Sequence, residues 1–191
     1  MQLNAEHKAK RKYILVQIPK KTDEKSEAAK AGFSNICEVG KERIRRAGDL
    51  FADKDIDIGF RVLKVDSSNM KEVYYSPAQV GQQLLFDMTD NIKEDRTPED
   101  LLFQVMLDLG VLLSGKIEET VIAGKKVFNV ADGFLMACFD SNVTEKVVKA
   151  VAQQKPYYAV FRDSSMANDS VATNFEQIFA TYSSETVRKV L

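Results

Sequence analysis

The first candidate for chemistry in this chain is a dense polar turn, which we call the polar turn (residues 162–169). A mostly apolar run at residues 157–161 leads into Arg162, Asp163, Ser164, Ser165, Asn168 and Asp169, and Ser170 follows the turn. Ligands of open α/β sheets often bind where strands end, so such a cluster can form a polar pocket or hold an anion. The same residue types are the usual residues of turns and helix caps. We therefore favour helix capping with an internal ion pair over a binding site.

Basic side chains form the second group of candidates. They are Lys8, Lys10, Arg11 and Lys12, then Lys20 and Lys21, and then Arg43, Arg45 and Arg46. Contact with phosphate is one interpretation, whereas runs of charge more commonly face water. Because the formal net charge is only -1, any contact with nucleic acid needs a local basic patch.

Other reactive residue types are few. Glu118 and Glu119 precede Lys125 and Lys126, but their spacing does not match the acid-x-lysine pattern of metal-dependent nucleases. His7, Cys37 and Cys138 are too few for a zinc site, and we expect the two thiols to be buried and reduced. Signatures of phosphate loops, dinucleotide folds, kinases, serine hydrolases and a DPPY-type catalytic tetrapeptide are absent. The sequence predicts neither a catalytic residue nor a metal ligand.

Composition indicates an ordinary globular protein. The 191 residues are 45% hydrophobic and 29% charged, which suits one domain or two small ones. No apolar run approaches the ~20 residues of a membrane helix, and the first ten residues lack the apolar core of a signal peptide. We expect a cytoplasmic protein.

The first half of the chain contains the less regular elements. The continuous apolar run at 13–18 predicts a strand buried on both faces, and the run at 60–66 predicts another. Ser34 is the predicted cap of a helix over 35–47, with Gly48 as its stop signal. Between the strand and the next strong helix lies a long connection with Pro77 and a short predicted helix at 79–87.

The second half of the chain alternates strands and helices. Thr97 and Pro98 open a helix whose apolar positions extend from Leu101 to Leu112. Asn142, with Glu145 three positions on, predicts the start of a further helix that ends near residue 154. The remaining elements are a hairpin at 116–122 and 125–130, strands at 134–139, 157–161 and 186–191, and a helix at 170–182. The order β-β-β-α-β-α-β predicts an α/β fold with a mixed, partly parallel sheet and flanking helices.

Four long segments of the chain resemble one protein family. They are residues 11–48, 59–75, 90–113 and 155–183, the last being KPYYAVFRDSSMANDSVATNFEQIFATYS. In order and over essentially all of the chain, they are similar to the C-terminal part of the modification (Mod) subunit of type III restriction-modification systems. Those subunits are adenine-specific DNA methyltransferases that use S-adenosylmethionine (AdoMet).

The resemblance implies a division of the chain. Residues 1–70 would be the end of a Rossmann-like methyltransferase domain, 71–96 a connecting arm and 97–191 a small C-terminal α/β domain. The catalytic DPPY-type motif and the Phe-x-Gly-x-Gly loop for AdoMet would lie upstream of Met1. The strand at 13–18 would be the second of the methyltransferase sheet, which makes Gln17 the nearest candidate for contact with the AdoMet ribose. Lys20 stands where an acid is expected.

Two functional hypotheses follow. The first is an inactive C-terminal fragment of a DNA adenine-N6 methyltransferase that provides a scaffold and pairs subunits, with the restriction (Res) subunit and DNA as partners in the parent complex. We expect no tight binding of AdoMet to this chain alone. A strand stripped of its neighbours exposes apolar surface, which favours a homo-oligomer, in the first place a dimer. The alternative is an independent small enzyme or nucleotide-binding protein that uses the polar turn.

Overall fold

The computed structural model describes residues 1–52, 55–71 and 91–191. The chain divides into two compact units, Met1–Val65 and Asp66–Leu191. The predicted division, with its connecting arm at 71–96, stays a prediction, because most of that arm lies outside the described residues. The short helix predicted at 79–87 lies outside them as well.

The first unit is helical. Its elements are α1 (Gln2–His7), α2 (Glu27–Lys30) and α3 (Ile36–Asp49). The cap of α3 is Asn35, whose Oδ1 accepts from Cys37 N at 3.0 Å and Glu38 N at 3.1 Å. The prediction of a cap at Ser34 was therefore one residue early. Gly48 does not stop the helix either, since α3 continues through it to Asp49.

The strands predicted at 13–18 and 60–66 are not formed. Both segments lack regular secondary structure, and Ile14, Val16 and Val65 are 88%, 93% and 106% exposed. A strand needs a hydrogen-bonded neighbour, and none of the described residues supplies one to either segment. The exposure of apolar side chains at 13–18 is the consequence expected for such a strand without its sheet.

The second unit contains the predicted α/β fold. Its elements are α4 (Pro98–Asp108), β1 (Ile117–Ile122), β2 (Lys125–Val130), β3 (Leu135–Cys138), α5 (Glu145–Gln153), β4 (Tyr158–Phe161), a 3₁₀ turn at Asp163–Ser165, α6 (Asp169–Tyr182) and β5 (Val187–Val190). The strands form one sheet in the order β1-β2-β3-β4-β5. The first two pairings are antiparallel and the last two parallel, which confirms the predicted mixed sheet with flanking helices.

Local sequence explains the turns of this sheet. Ala123 and Gly124 join β1 to β2 and have φ values of 48° and 81°, the left-handed pair that a tight hairpin turn requires. The two parallel pairings are longer-range, because α5 must cross between β3 and β4, and α6 between β4 and β5.

Helix starts in the second unit follow the predictions in part. Thr97 and Asp100 form the capping box of α4, with Asp100 N donating to Thr97 Oγ1 at 3.2 Å. Leu112 lies beyond α4 and is 75% exposed, so the apolar positions of the helix end earlier than predicted. Asn142 does not cap α5. That position belongs to Thr144, and Glu145 Oε1 instead accepts from Asn174 Nδ2 on α6 at 2.8 Å.

Apolar side chains fill both faces of the sheet. On one face α5 and α6 pack against the strands, and Phe161, Phe175 and Phe179 form a ring cluster with centroids 5.1–6.4 Å apart. On the other face α4 packs through Leu101, Leu102, Val105 and Met106. The sheet is thus the middle layer of three and fixes the positions of the loops at its ends.

Over the described ranges, no helix is both long and apolar enough to cross a bilayer.

Candidate functional site

The polar turn is built from backbone bonds to its neighbours. Arg162 directly follows β4, and Asp163 N donates to Leu191 O at 3.0 Å, beside the end of β5. Met166 forms a bridge with Val143, and Ala167 N donates to Val143 O at 2.9 Å. The turn therefore ties the loop before α5 to the loop before α6.

Asn168 completes the turn as a helix cap. Its Oδ1 accepts from Val171 N at 3.1 Å, and α6 begins at the next residue. This contact supports the capping interpretation and uses a side chain that a binding site in the turn would need.

A small cavity lies beside the polar turn, at the edge of the sheet where β3 and β4 end. Phe139 directly follows β3 and Arg162 directly follows β4. Because the strands are parallel, both residues come at the same edge. The segment that leads into α4 completes the lining with Lys93, Glu94 and Arg96, around a volume of about 150 Å³. Sequence patterns did not single out Lys93 or Arg96, because only the fold brings them to Arg162.

Gln17 lies in the first unit, within the exposed segment at 13–18. Its Nε2 donates to Ile18 O at 3.1 Å, and its carbonyl accepts from Cys37 Sγ at 3.6 Å. Its predicted contact with the AdoMet ribose stays a prediction. Lys20 holds the start of α3 through its carbonyl, which accepts from Ile36 N at 3.0 Å.

Three residues of the basic clusters, Arg11, Arg45 and Arg46, contact residues of α1 or α3. Arg11 Nη1 donates to Leu3 O at 3.1 Å, and its Nη2 lies 3.2 Å from His7 Nδ1. On α3, Glu42 contacts Arg46 at 2.8 Å and Arg45 at 3.7 Å. The bond to Arg46 is the main reason that the pKa of Glu42 lies below its ordinary value. These contacts favour the interpretation as solvated surface.

Both acidic residues of β1 form ion pairs, Glu118 with Lys116 and Glu119 with Lys126. Lys126 Nζ contacts Glu99 at 2.7 Å and Glu119 at 3.0 Å, which clamps β2 to the first turn of α4. The bond to Glu99 raises the pKa of Lys126 and lowers that of Glu99. Within the described part of the chain, no three acidic, histidine or cysteine side chains are grouped so that they could hold a metal ion.

Both cysteines are free thiols. Cys138 ends β3 fully buried, and burial raises its pKa to about 11, so the thiolate required for nucleophilic chemistry does not form near neutral pH. Cys37 is only partly buried on α3, which corrects the expectation of two buried thiols.

Comparison with known proteins identifies a class of protein to which this chain is similar. No family model matches the chain. The chain is, however, similar over most of its length to a subunit of a type III restriction-modification enzyme, which confirms the resemblance drawn from the sequence.

The relative is the Mod subunit of the type III restriction-modification enzyme EcoP15I from Escherichia coli. Identity is 30% over 179 residues, or 91% of this chain. The chain spans 25% of the length of that relative. The match supports the prediction that this chain corresponds to the C-terminal part of a Mod subunit.

Proposed function

We propose that this chain is the C-terminal part of a type III restriction-modification Mod subunit, an AdoMet-dependent DNA adenine-N6 methyltransferase. The observation that carries the proposal is the 30% identity with the EcoP15I Mod subunit over 91% of the chain. In the parent enzyme, this part acts as a scaffold and pairs subunits, in a cytoplasmic complex with the restriction subunit and DNA. The polar turn contributes helix capping.

The transfer chemistry belongs to the parent enzyme and not to this part of it. The sequence contains no DPPY-type tetrapeptide, and Gln17 is the one residue here that the family resemblance places near AdoMet. A single amide side chain on an exposed segment provides too few contacts to hold a nucleoside by itself. We expect neither tight binding of AdoMet nor methyl transfer by these 191 residues.

The activity test uses calorimetric titration with AdoMet and transfer of labelled methyl groups to duplex DNA. The complete EcoP15I Mod subunit serves as the positive control. The expected result is heat and transfer for the control and neither for this chain. Turnover by this chain would overturn the scaffold role and favour an independent enzyme.

Subunit pairing rests on the exposed apolar segment at 13–18. Ile14, Leu15, Val16 and Ile18 are all at least 71% exposed, and the backbone of this segment makes no strand pairing. An unpaired extended segment with apolar side chains is a template for pairing with another chain. A homodimer that pairs these segments covers both the side chains and the backbone groups.

Size-exclusion chromatography with light scattering tests the pairing. We expect a mass about twice the 21.5 kDa of one chain. Val16→Asp should shift the mass toward one chain, whereas Leu112→Asp, which also changes an exposed apolar side chain but lies outside the segment, should not. A wild-type mass of one chain, or equal behaviour of the two variants, would contradict pairing through this segment.

A further inference from the structure

Three cationic side chains line the cavity at the ends of β3 and β4, and one of them, Arg96, also contacts Asp66 and Asp95. Lys93, Arg96 and Arg162 line it, and Glu94 is the one carboxylate among the described residues that do so. The rest of the lining is apolar and includes Phe139 and Leu101. A partly enclosed site strengthens the attraction between such cations and an anion relative to open water.

One N–H group of the Arg96 guanidinium makes no hydrogen bond with the described residues. Its Nη1 contacts Asp66 and Asp95, each at 3.3 Å, and its Nη2 donates to Ser67 Oγ at 3.2 Å. Its Nε is buried and has no hydrogen-bond partner among the described residues, in a side chain that is only 12% exposed. A buried donor without an acceptor is costly, and an oxygen atom in the cavity would remove that cost.

Lys93 adds donors on the same side. Its Nζ donates to Ser67 Oγ at 2.9 Å, which holds the ammonium group beside Arg96 and leaves it further hydrogens to donate. The start of α4 offers fewer backbone N–H donors to an anion, because Pro98 has no N–H and Asp100 N already donates to Thr97. The side-chain cations, and not the helix start, therefore provide the binding groups.

The size of the cavity limits what it can hold. About 150 Å³ is far more than the ~10–15 Å³ that one water molecule needs. It is below the ~300–1,000 Å³ of pockets that enclose a whole drug-sized ligand. A single tetrahedral group of four oxygens fits these limits.

We propose that this cavity binds a phosphate-type oxyanion, with Arg96, Lys93 and Arg162 as the donors. Guanidinium and ammonium groups are the side chains that bind phosphate most strongly. The phosphate is either free in solution or part of a larger molecule whose remaining atoms lie outside the cavity.

The test is a titration of the isotopically labelled chain with inorganic phosphate, followed by NMR. Sodium chloride replaces phosphate at equal ionic strength in the reference series, so that general screening cancels. We expect saturable shifts in the millimolar range at residues 92–98, 139 and 162. Shifts that do not saturate, or that spread evenly over the surface, would overturn the site.

Charge substitutions give effects of opposite sign. Lys93→Gln should weaken phosphate binding by about fivefold to tenfold, through loss of a charge-assisted bond. Glu94→Gln should tighten it by about twofold to fivefold, through loss of a repulsion. Lys146→Gln is the matched control, because Lys146 is exposed on α5 and outside the cavity, and it should bind as the wild type does. Equal affinities for all three variants would overturn the proposal.

Two further arms distinguish the source of the phosphate. A nucleoside monophosphate and a short DNA duplex are titrated separately into the wild type and into Lys93→Gln. If either binds more tightly than inorganic phosphate and loses affinity in Lys93→Gln, that molecule presents its phosphate to this cavity. If inorganic phosphate is the only one of the three that loses affinity in Lys93→Gln, the site is for the free ion. If Lys93→Gln changes none of the three affinities, the cavity is not the site.

Discussion

Thr97 and Asp100 bind each other's backbone groups at the start of α4, and this reciprocal arrangement is local in sequence. Thr97 Oγ1 accepts from Asp100 N, and Asp100 Oδ2 accepts from Thr97 N at 2.8 Å. Such a box could be predicted because both partners lie within one turn. The burial of Arg96 beside Arg162 could not, because it depends on the packing of α4 against a sheet formed later in the chain.

Removal of the threonine hydroxyl should lower the stability of the second unit. Thr97→Ala leaves Asp100 N without its acceptor, and we expect a loss of about 1 kcal/mol in the free energy of unfolding. Urea unfolding followed by circular dichroism measures the change. Thr181→Ala, on the exposed surface of α6, is the control and should change the free energy by less than about 0.5 kcal/mol. Equal losses in both variants would contradict a specific contribution of the cap.

Asp100, the carboxylate of the capping box, makes the free energy of unfolding depend on pH in a defined direction. Bonds from the Thr97 backbone and hydroxyl hold the pKa of Asp100 below its ordinary value in the folded chain. The stability that Asp100 contributes is therefore complete above its unfolded pKa of about 4, and it is lost as the pH falls through the lower folded pKa. The difference in unfolding free energy between wild type and Asp100→Asn should be largest near neutral pH and shrink below about pH 4. A difference that grows on acidification would contradict this assignment.

A buried hydroxyl links the last two strands of the sheet. Thr186 Oγ1 donates to Pro156 O at 2.6 Å and lies 2.6 Å from Ser183 Oγ, in a residue that is 3% exposed. Thr186→Val keeps the shape but leaves both oxygens unsatisfied, and we expect a loss of about 1–3 kcal/mol. Thermal unfolding measures it, with the exposed Ser184→Ala as control. A stability equal to that of the control would show that water replaces the hydroxyl.

At the scale of elements, the sheet could be predicted because every pairing joins two strands that follow one another in the chain. The hairpin turn at Ala123–Gly124 sets β1 against β2, and the alternation of strands and helices sets the parallel pairings. The segment at 13–18 has the same apolar character and yet forms no strand. Its state depends on partners that local sequence does not specify.

The packing of α6 on the sheet should depend on its inward-facing rings. Phe175 is 4% exposed and contacts Phe161, with ring centroids 5.4 Å apart. Phe175→Ala should cost about 3–5 kcal/mol, the transfer of the ring plus the cavity left behind. Phe134→Ala is the matched control, because Phe134 is 40% exposed, and it should cost clearly less in the same urea unfolding. A smaller loss for Phe175→Ala than for the control would place the core elsewhere.

At the scale of the whole molecule, burial is concentrated in the second unit. Gly48 is the one buried residue among those described in the first unit, whereas both apolar clusters lie in the second. Cooperative stability follows the buried apolar surface. The family resemblance covers both units, but only the second contains a core that accounts for its own stability.

Hydrogen exchange measured by mass spectrometry tests this difference. We expect slow exchange in β2, β3 and β4, and exchange faster by several orders of magnitude at 13–18 in dilute protein. Raising the protein concentration should slow exchange at 13–18 if the segments pair. Slow exchange at 13–18 that is independent of concentration would show that this segment is covered within one chain.

The exposed segment at 13–18 also meets the requirements of an amyloid-forming hexapeptide. YILVQI has high β-propensity, no charge, no glycine and no proline, and such segments stack into steric zippers. Arg11 and Lys12 stand before it, and Pro19, Lys20 and Lys21 follow it, which are the residue types that interrupt stacking. Substitution of these flanking residues would therefore convert a pairing segment into a nucleus for fibrils, with no change to the sheet or its helices.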